Sequence, residues 1–343
     1  MRKQITCNTL LAFITAIFLL STNLGVSATH ATAESDKYVV DEIVTKSFDD
    51  IPSKLAGKTV ILQTNDVHGI VWGYAYVASL KHILQNYGAE VILVDCGDFS
   101  SEKKGTPRYV SSSNGFAAIN IMNEAEYDIV TFGNHEFEKG GIQQFSSNLN
   151  SAKFKTINAS FKEPDGETFT DPNYIYKTKS GLNIGFFGLS TPEVNLFARS
   201  NRYINLYNSG SGNALNKCAE EQVDFLKDKS DIIICLAHLG VNQDRDTLVN
   251  NRSIDVYKNV PGIDLILDGH SHTAMTSGND NEPILSTGKQ FANIGVVIID
   301  DKTKTIEDKF LIPQREFMKL VKDEKTDSVA RSIVSKTLDE TDN

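Results

Sequence analysis

The chain has 343 residues, 40% hydrophobic and 23% charged, enough for a sizeable core in one large domain or two small ones. A formal net charge of −10 at pH 7 without a basic cluster excludes a nucleic-acid duplex as the natural partner. Acidity leaves a small anionic substrate open, because bound metal cations can dominate a local field.

Arg2 and Lys3 precede an apolar run over residues 10–20, and Val26-Ser27-Ala28 and Ala31-Thr32-Ala33 follow it as small-residue cleavage sites. This is the layout of a secretory signal peptide. The run is too short for a membrane span, which needs about 20 residues. No cysteine follows the run to carry a lipid. Residues 1–33 are therefore expected to be a signal peptide, leaving a secreted, periplasmic or cell-surface protein with no membrane span.

Residues 34–57 are polar, carry no strong period and read as a linker. From Lys58 onward, β-branched runs alternate with helical stretches. Strands are expected over 59–63, 90–94, 129–132, 182–188, 231–237, 265–268 and 294–299, and helices over 74–87, 114–126 and 213–228. Apolar strands alternating with helices predict an α/β protein (α+β by some schemes) with strands buried on both faces. Residues 317–343 are charged, with Leu320, Val321, Val329, Ile333, Val334 and Leu338 near helical spacing, which predicts a terminal helix.

Cys7 leaves with the signal. Cys96 and Cys235 sit in apolar runs and read as small core residues. Neither a disulfide framework nor a CxxC knuckle is present.

The seven histidines are unevenly placed. His30 is at the signal boundary and His82 is in a predicted helix. His68, His135, His238, His270 and His272 all lie just past the carboxyl end of an apolar run. They occur in Asn65-Asp66-Val67-His68-Gly69, Gly133-Asn134-His135-Glu136, Ala237-His238-Leu239-Gly240 and Asp268-Gly269-His270-Ser271-His272. Asp95-Cys96-Gly97-Asp98 ends another run in the same way. Ligands of open α/β sheets bind outside the carboxyl ends of strands, so these loops can meet at one place. Asp66 and His68, like His270 and His272, are two residues apart and can point into one site from extended backbone. One such histidine would read as a capping or core residue. Five in equivalent positions, with aspartates in register, read as a metal site.

A nitrogen and oxygen donor set without sulfur suits Zn, Mn, Fe, Co or Ni, and argues against an all-oxygen Ca or Mg site. The donors exceed the places of one ion, so two divalent metal ions sharing a carboxylate are expected. Two metals about 3.5–4 Å apart can hold an activated hydroxide and clamp both oxygens of a displacement at phosphorus.

Taken together, DVHG, GD, GNHE, AH and GHSH, in that order over residues 66–272, resemble the calcineurin-like metallophosphatases. The fuller forms TNDVHG, VDCGD, FGNHEFE, GLSTPE, AHLG and DGHSHT are most similar to the 5′-nucleotidase branch, over about residues 58–312. The resemblance implies a four-layer αββα sandwich with a dimetal site at the strand carboxyl ends. Residues 58–316 would be the catalytic domain and 317–343 a terminal connector helix. It further implies that Asp66, His68 and His272 bind the first metal, that Asp98 bridges, and that Asn134, His238 and His270 complete the second.

His135 would not be a ligand; it would stabilise the transferring phosphoryl group or protonate the leaving oxygen. Glu138 stands where the family usually has aspartate. One methylene longer, it is expected to orient His135, or else to be a solvated surface acid. Glu136 reads as a residue that supports the ligands from behind or as structural, and Trp72 as a packing residue. Two-domain 5′-nucleotidases add a C-terminal domain that stacks the base, so this chain is expected to hold the hydrolytic half alone.

The function expected is hydrolysis of small phosphate esters, nucleoside 5′-monophosphates first, by attack of a metal-activated hydroxide at phosphorus. A phosphodiesterase acting on cyclic nucleotides or nucleotide-sugars is the nearest alternative. A surface metal- or nucleotide-binding protein with little turnover is the alternative of another class.

Overall fold

In the computed structural model of the chain, the residues described are 38–100, 113, 115–138, 140–162, 167–194, 205–206, 212–242 and 251–339. The expected signal peptide, residues 1–33, lies outside the described residues. Among those described, no helix is long and apolar enough to cross a membrane.

The described strands are β1 (Lys58–Thr64), β2 (Glu90–Cys96), β3 (Ile129–Thr131), β4 (Lys155–Thr156), β5 (Phe161–Lys162), β6 (Asn173–Lys177) and β7 (Asn183–Ser190). They continue with β8 (Asn205–Leu206), β9 (Ile232–His238), β10 (Leu265–Leu267), β11 (Ala274–Met275), β12 (Ile284–Thr287), β13 (Asn293–Asp300) and β14 (Thr305–Pro313). The helices are α1 (Tyr74–Asn86), α2 (Phe116–Glu124), α3 (Gly141–Leu149), α4 (Gly212–Leu226), α5 (Ser253–Asn259), α6 (Gln314–Phe317) and α7 (Glu324–Asp339).

One six-stranded sheet runs β14-β13-β1-β2-β3-β4, and a second runs β11-β12-β10-β9-β7-β6. β1 to β4 are mutually parallel, and β13 and β14 extend their sheet antiparallel. In the second sheet β7, β9, β10 and β12 are parallel, with antiparallel β6 and β11 at the edges. β5 and β8 form a separate small ribbon.

Side chains alternate across each strand, so a strand covered on both sides must be apolar at every position. Ile61, Ile92, Val94 and Val297 of the first sheet meet Ile184, Phe186, Ile234 and Leu267 of the second in one buried layer. On the other side of the first sheet, Val60 and Leu62 pack with Val77, Leu80 and Leu84 of α1 and with Ile119 and Met122 of α2. On the other side of the second, Phe187, Leu189, Ile233 and Cys235 pack with Leu215, Ala219 and Val223 of α4. The order helix, sheet, sheet, helix is the four-layer sandwich. Each fully buried Val, Leu or Ile contributes about 1.5–3 kcal/mol over its exposed form, which locks the register.

β6, β12, β14 and the two-residue strands β4, β5, β8 and β11 were not among the strands expected. β6 and β14 are edge strands with partly exposed, mixed-polarity patterns, and β12 is four residues long. Residues 38–57, read as a linker, are hydrogen-bonded to both sheets. Val44 N–H donates to Thr276 Oγ1 at 3.1 Å, and Lys46 N–H to the Leu311 carbonyl at 3.0 Å. At the other end of the chain, Ala330 and Ile333 of α7 join the cluster formed by α1, α2 and the first sheet. Trp72 packs against Tyr76, Phe291 and Phe317, with ring centroids 6.2, 5.6 and 6.1 Å apart.

Candidate metal centre

β1 and β2 are parallel neighbours, so the loops that follow them leave side by side and continue to pair. Asp66 N–H donates to the Gly97 carbonyl at 2.9 Å, and His68 N–H to that of Asp98 at 2.8 Å. The pairing holds Asp66, His68 and Asp98 in the left-handed region, with φ of 51°, 51° and 58°. His270 and His272 share it, with φ of 76° and 56°. Few non-glycine residues adopt this backbone, and it costs about 1–3 kcal/mol each. Such strain persists only where the surroundings over-determine it, and here it falls on five of the expected site residues.

The side chains converge. Asp66 Oδ1 lies 3.7 Å from His68 Nε2 and 3.4 Å from His272 Nε2. His68 and His272 bring their Nε2 atoms within 2.8 Å of each other. Asp98 Oδ2 lies 3.2 Å from His238 Nε2, 3.8 Å from His135 Nε2 and 4.0 Å from His68 Nε2. Potential ligand atoms of Asp66, His68 and His272 all fall within 4.8 Å of one another, as do those of Asp98, His238 and His270. Asp98 also groups with His68 and His135, so its carboxylate stands between the two sets.

The donors fit divalent ions on a further observation. Asp66 Oδ1 of the first group, His238 Nε2 of the second and Asn134 Oδ1 are buried without a well-formed hydrogen bond. A buried polar atom left unsatisfied costs about 1–3 kcal/mol, which a bound cation would offset. His238 is also held on its outer side: its Nδ1 lies 2.7 Å from the Cys96 carbonyl, while its Nε2 faces Asp98 Oδ2 at 3.2 Å.

Burial works against charge on Asp98, yet His238, His135 and His68 hold its carboxyl well below the ordinary aspartate value. Burial likewise opposes a charged His238, but Asp98 beside it pushes the imidazole up to about 10.

His135 lies in the loop after β3, at the start of a 3-10 turn, His135–Phe137. Its Nδ1 is hydrogen-bonded to Glu138 Oε1, and its ring centroid is 5.0 Å from that of His68. The longer side chain of Glu138 therefore reaches His135.

Three acids brace the loops of the site; sequence reasoning gave Glu136 a supporting or structural part and left Asp268 and Glu193 without one. Glu136 takes the N–H of Gly133 at 2.7 Å and of Asp98 at 3.0 Å on Oε2, and the Ser100 N–H at 3.0 Å on Oε1. One side chain thus ties the β2 and β3 loops together. Burial and then Asp98 push its carboxyl up to about 7, against the pull of these donors. Asp268 accepts the N–H groups of Leu239 and Gly240 at 3.1 and 3.2 Å, coupling the His238 and His270 loops. Glu193 approaches His270, Oε2 to Nε2, at 3.5 Å. The DGHSH and GLSTPE stretches contained Asp268 and Glu193, but their partners are remote in sequence.

Close approach of the loops depends on glycine. A Cβ on Gly133 would stand 2.3 Å from Asp98 Oδ1 and 2.5 Å from His238 Nε2.

The model of the calcineurin-like phosphoesterase family matches residues 59–274. The 2′,3′-cyclic-nucleotide 2′-phosphodiesterase/3′-nucleotidase of Salmonella typhimurium is 25% identical over 264 residues, 68% of this chain and 38% of that protein. Rat 5′-nucleotidase is 26% identical over 260 residues, 69% of this chain and 42% of that protein. The chain thus spans less than half the length of these relatives. The crystal structure of calcineurin-like phosphoesterase YfkN from Bacillus subtilis superposes with a TM-score of 0.66 at 22% identity. That match covers 83% of this chain and 99% of the other, and shows the shared fold.

Proposed function

The chain belongs to the calcineurin-like phosphoesterase family, metal-dependent phosphoric ester hydrolases, and from that premise we propose that it hydrolyses nucleoside 5′-monophosphates outside the cytoplasm. The observation that carries the reading is the pair of donor sets meeting at Asp98, with His135 and Glu138 alongside.

In this reading Asp66, His68 and His272 would hold one divalent ion, Asn134, His238 and His270 would hold the other, and Asp98 would contribute to both. When bound, such ions polarise phosphoryl oxygens and bring the pKa of water down toward neutrality. The chain's own residues supply the rest. Glu138 binds His135 Nδ1, which sets the ring orientation and stabilises its charged form. His135 Nε2 is then the atom that donates to the phosphoryl oxygens or gives a proton to the leaving oxygen. Asn134 contributes a neutral oxygen, which adds a donor without adding charge to a site already rich in carboxylates.

Nucleoside monophosphates come first because a similar protein is named 5′-nucleotidase. A second reading, cleavage of cyclic diesters, is favoured by the name of another. Export is supported by the layout of residues 1–33.

The test is phosphate release from AMP, 2′,3′-cyclic AMP, an aryl phosphate and a bis-aryl phosphate, with Zn, Mn, Fe, Co and Ni added in turn. Fastest turnover of AMP supports the proposal, and fastest turnover of the cyclic or bis-aryl ester supports the second reading. Metal binding without turnover of any of the four overturns both and leaves the binding-protein alternative. The mass of the protein recovered from the producing cells tests export: cleavage near Ala28 or Ala33 supports it, and an intact amino terminus overturns it.

A further inference from the structure

Glu193 follows β7 in the GLSTPE stretch, and the mechanism above leaves it without a role. The segment around it is pinned. Thr191 N–H donates to the His238 carbonyl at 2.8 Å, Val194 N–H to the Thr191 carbonyl at 3.2 Å, and Glu193 N–H to Thr191 Oγ1 at 3.3 Å. Thr191 and Val194 are buried. The Glu193 side chain is 15% exposed, and among the described residues its one ion-pair partner is His270, Nε2 to Oε2 at 3.5 Å. A shielded carboxylate with an imidazole as its ion-pair partner is not an incidental surface acid.

A histidine that serves a metal divides the work of its nitrogens: one donates to the ion and the other gives its hydrogen to an acceptor, which fixes tautomer and ring orientation. His238 shows the division in this chain, with Nδ1 on the Cys96 carbonyl and Nε2 on the Asp98 side. His270 stands beside it, ring centroids 5.1 Å apart, and its Nε2 faces a carboxylate, Glu193 Oε2 at 3.5 Å, rather than a carbonyl.

We propose that Glu193 is a positioning residue of the second metal position: it accepts the Nε2–H of His270 and leaves Nδ1 as the donor to the ion shared with Asp98, Asn134 and His238. The inference rests on the dimetal reading above. It adds a negative charge behind one ligand and makes that histidine a stronger donor than a carbonyl would. Loss of such a partner typically weakens metal binding by about 10–100-fold.

The experiment is a titration of metal-stripped protein with Zn²⁺ against a chromophoric chelator, on wild type, Glu193→Ala, Glu193→Gln, His270→Ala and the Glu193→Ala/His270→Ala double variant. Wild type is expected to bind two ions per chain. Glu193→Ala should bind the first with unchanged affinity and the second about 10–100-fold more weakly. Glu193→Gln keeps an acceptor oxygen without the charge and should lose less. In the His270→Ala background the Glu193 change should add nothing. The melting temperature of the metal-free Glu193→Ala protein should match wild type, which separates positioning from a structural role. Two ions bound at wild-type affinity in Glu193→Ala overturn the proposal, as does an equal further loss on top of His270→Ala. If Glu193→Ala does not fold, undiminished second-ion affinity in Glu193→Gln overturns it equally, and reduced affinity there supports it. A wild type that binds fewer than two ions refutes the dimetal reading itself, a separate outcome.

Discussion

The backbone N–H of His135 donates to Asp98 Oδ1 at 2.9 Å, so the loop carrying His135 hangs on the carboxylate that stands between the two donor sets. Asp98→Asn keeps an oxygen for that hydrogen bond and removes the charge. The folded structure is expected to survive while metal content and activity fall together, activity by a factor of about 10³ if several kcal/mol of transition-state stabilisation are lost. Elemental analysis and an assay on the same sample check it.

In the proposed reading His135 works with Glu138 as the catalytic pair, although its ring also groups with His68 and Asp98. His135→Ala should retain both ions and lose about 10²–10⁴ in kcat, the usual worth of general acid-base help. Glu138→Gln keeps an acceptor for Nδ1 but not the charge that stabilises imidazolium, so its loss should be smaller. Steady-state rates with metal content measured in parallel decide both, and a silent Glu138→Gln would return that residue to a surface role.

Glu136 faces three backbone N–H groups with its two oxygens. Glu136→Gln turns an NH₂ group toward donors, and each buried group left unsatisfied costs about 1–3 kcal/mol. Urea denaturation of the metal-free protein should show a loss of about 2 kcal/mol or more. Unchanged stability would mean that the brace is dispensable.

Cys96, Cys218 and Cys235 are buried and unpaired. Burial pushes the Cys218 thiol up to about 12, and Cys96 and Cys235 well above the ordinary value. The thiolate is the reactive form, so raised values mean protection at pH 8. A chain lacking residues 1–33 should show no fast thiol titration when native and three thiols in denaturant. Fast native labelling would contradict the packing described.

The strands that carry the site were legible in sequence because they are covered on both faces, which demands runs such as those of β1, β2 and β9. β6 and β14 were not, because an edge strand can mix polarities and still be paired. The site residues were legible as histidines and aspartates at run ends. Their left-handed backbone was not, since φ is imposed by pairing between loops such as that of Asp66 with Gly97. Glu136 and Glu193 lay inside quoted motifs, yet their work depends on Gly133, Asp98, Ser100 and His270, contacts that spacing does not encode.

The most direct measurement is phosphate release from AMP by metal-stripped protein as one divalent metal is added in counted equivalents. Activity should rise to a plateau at two ions per chain. Full activity at zero or one equivalent, or no phosphate release with two ions bound, would contradict it.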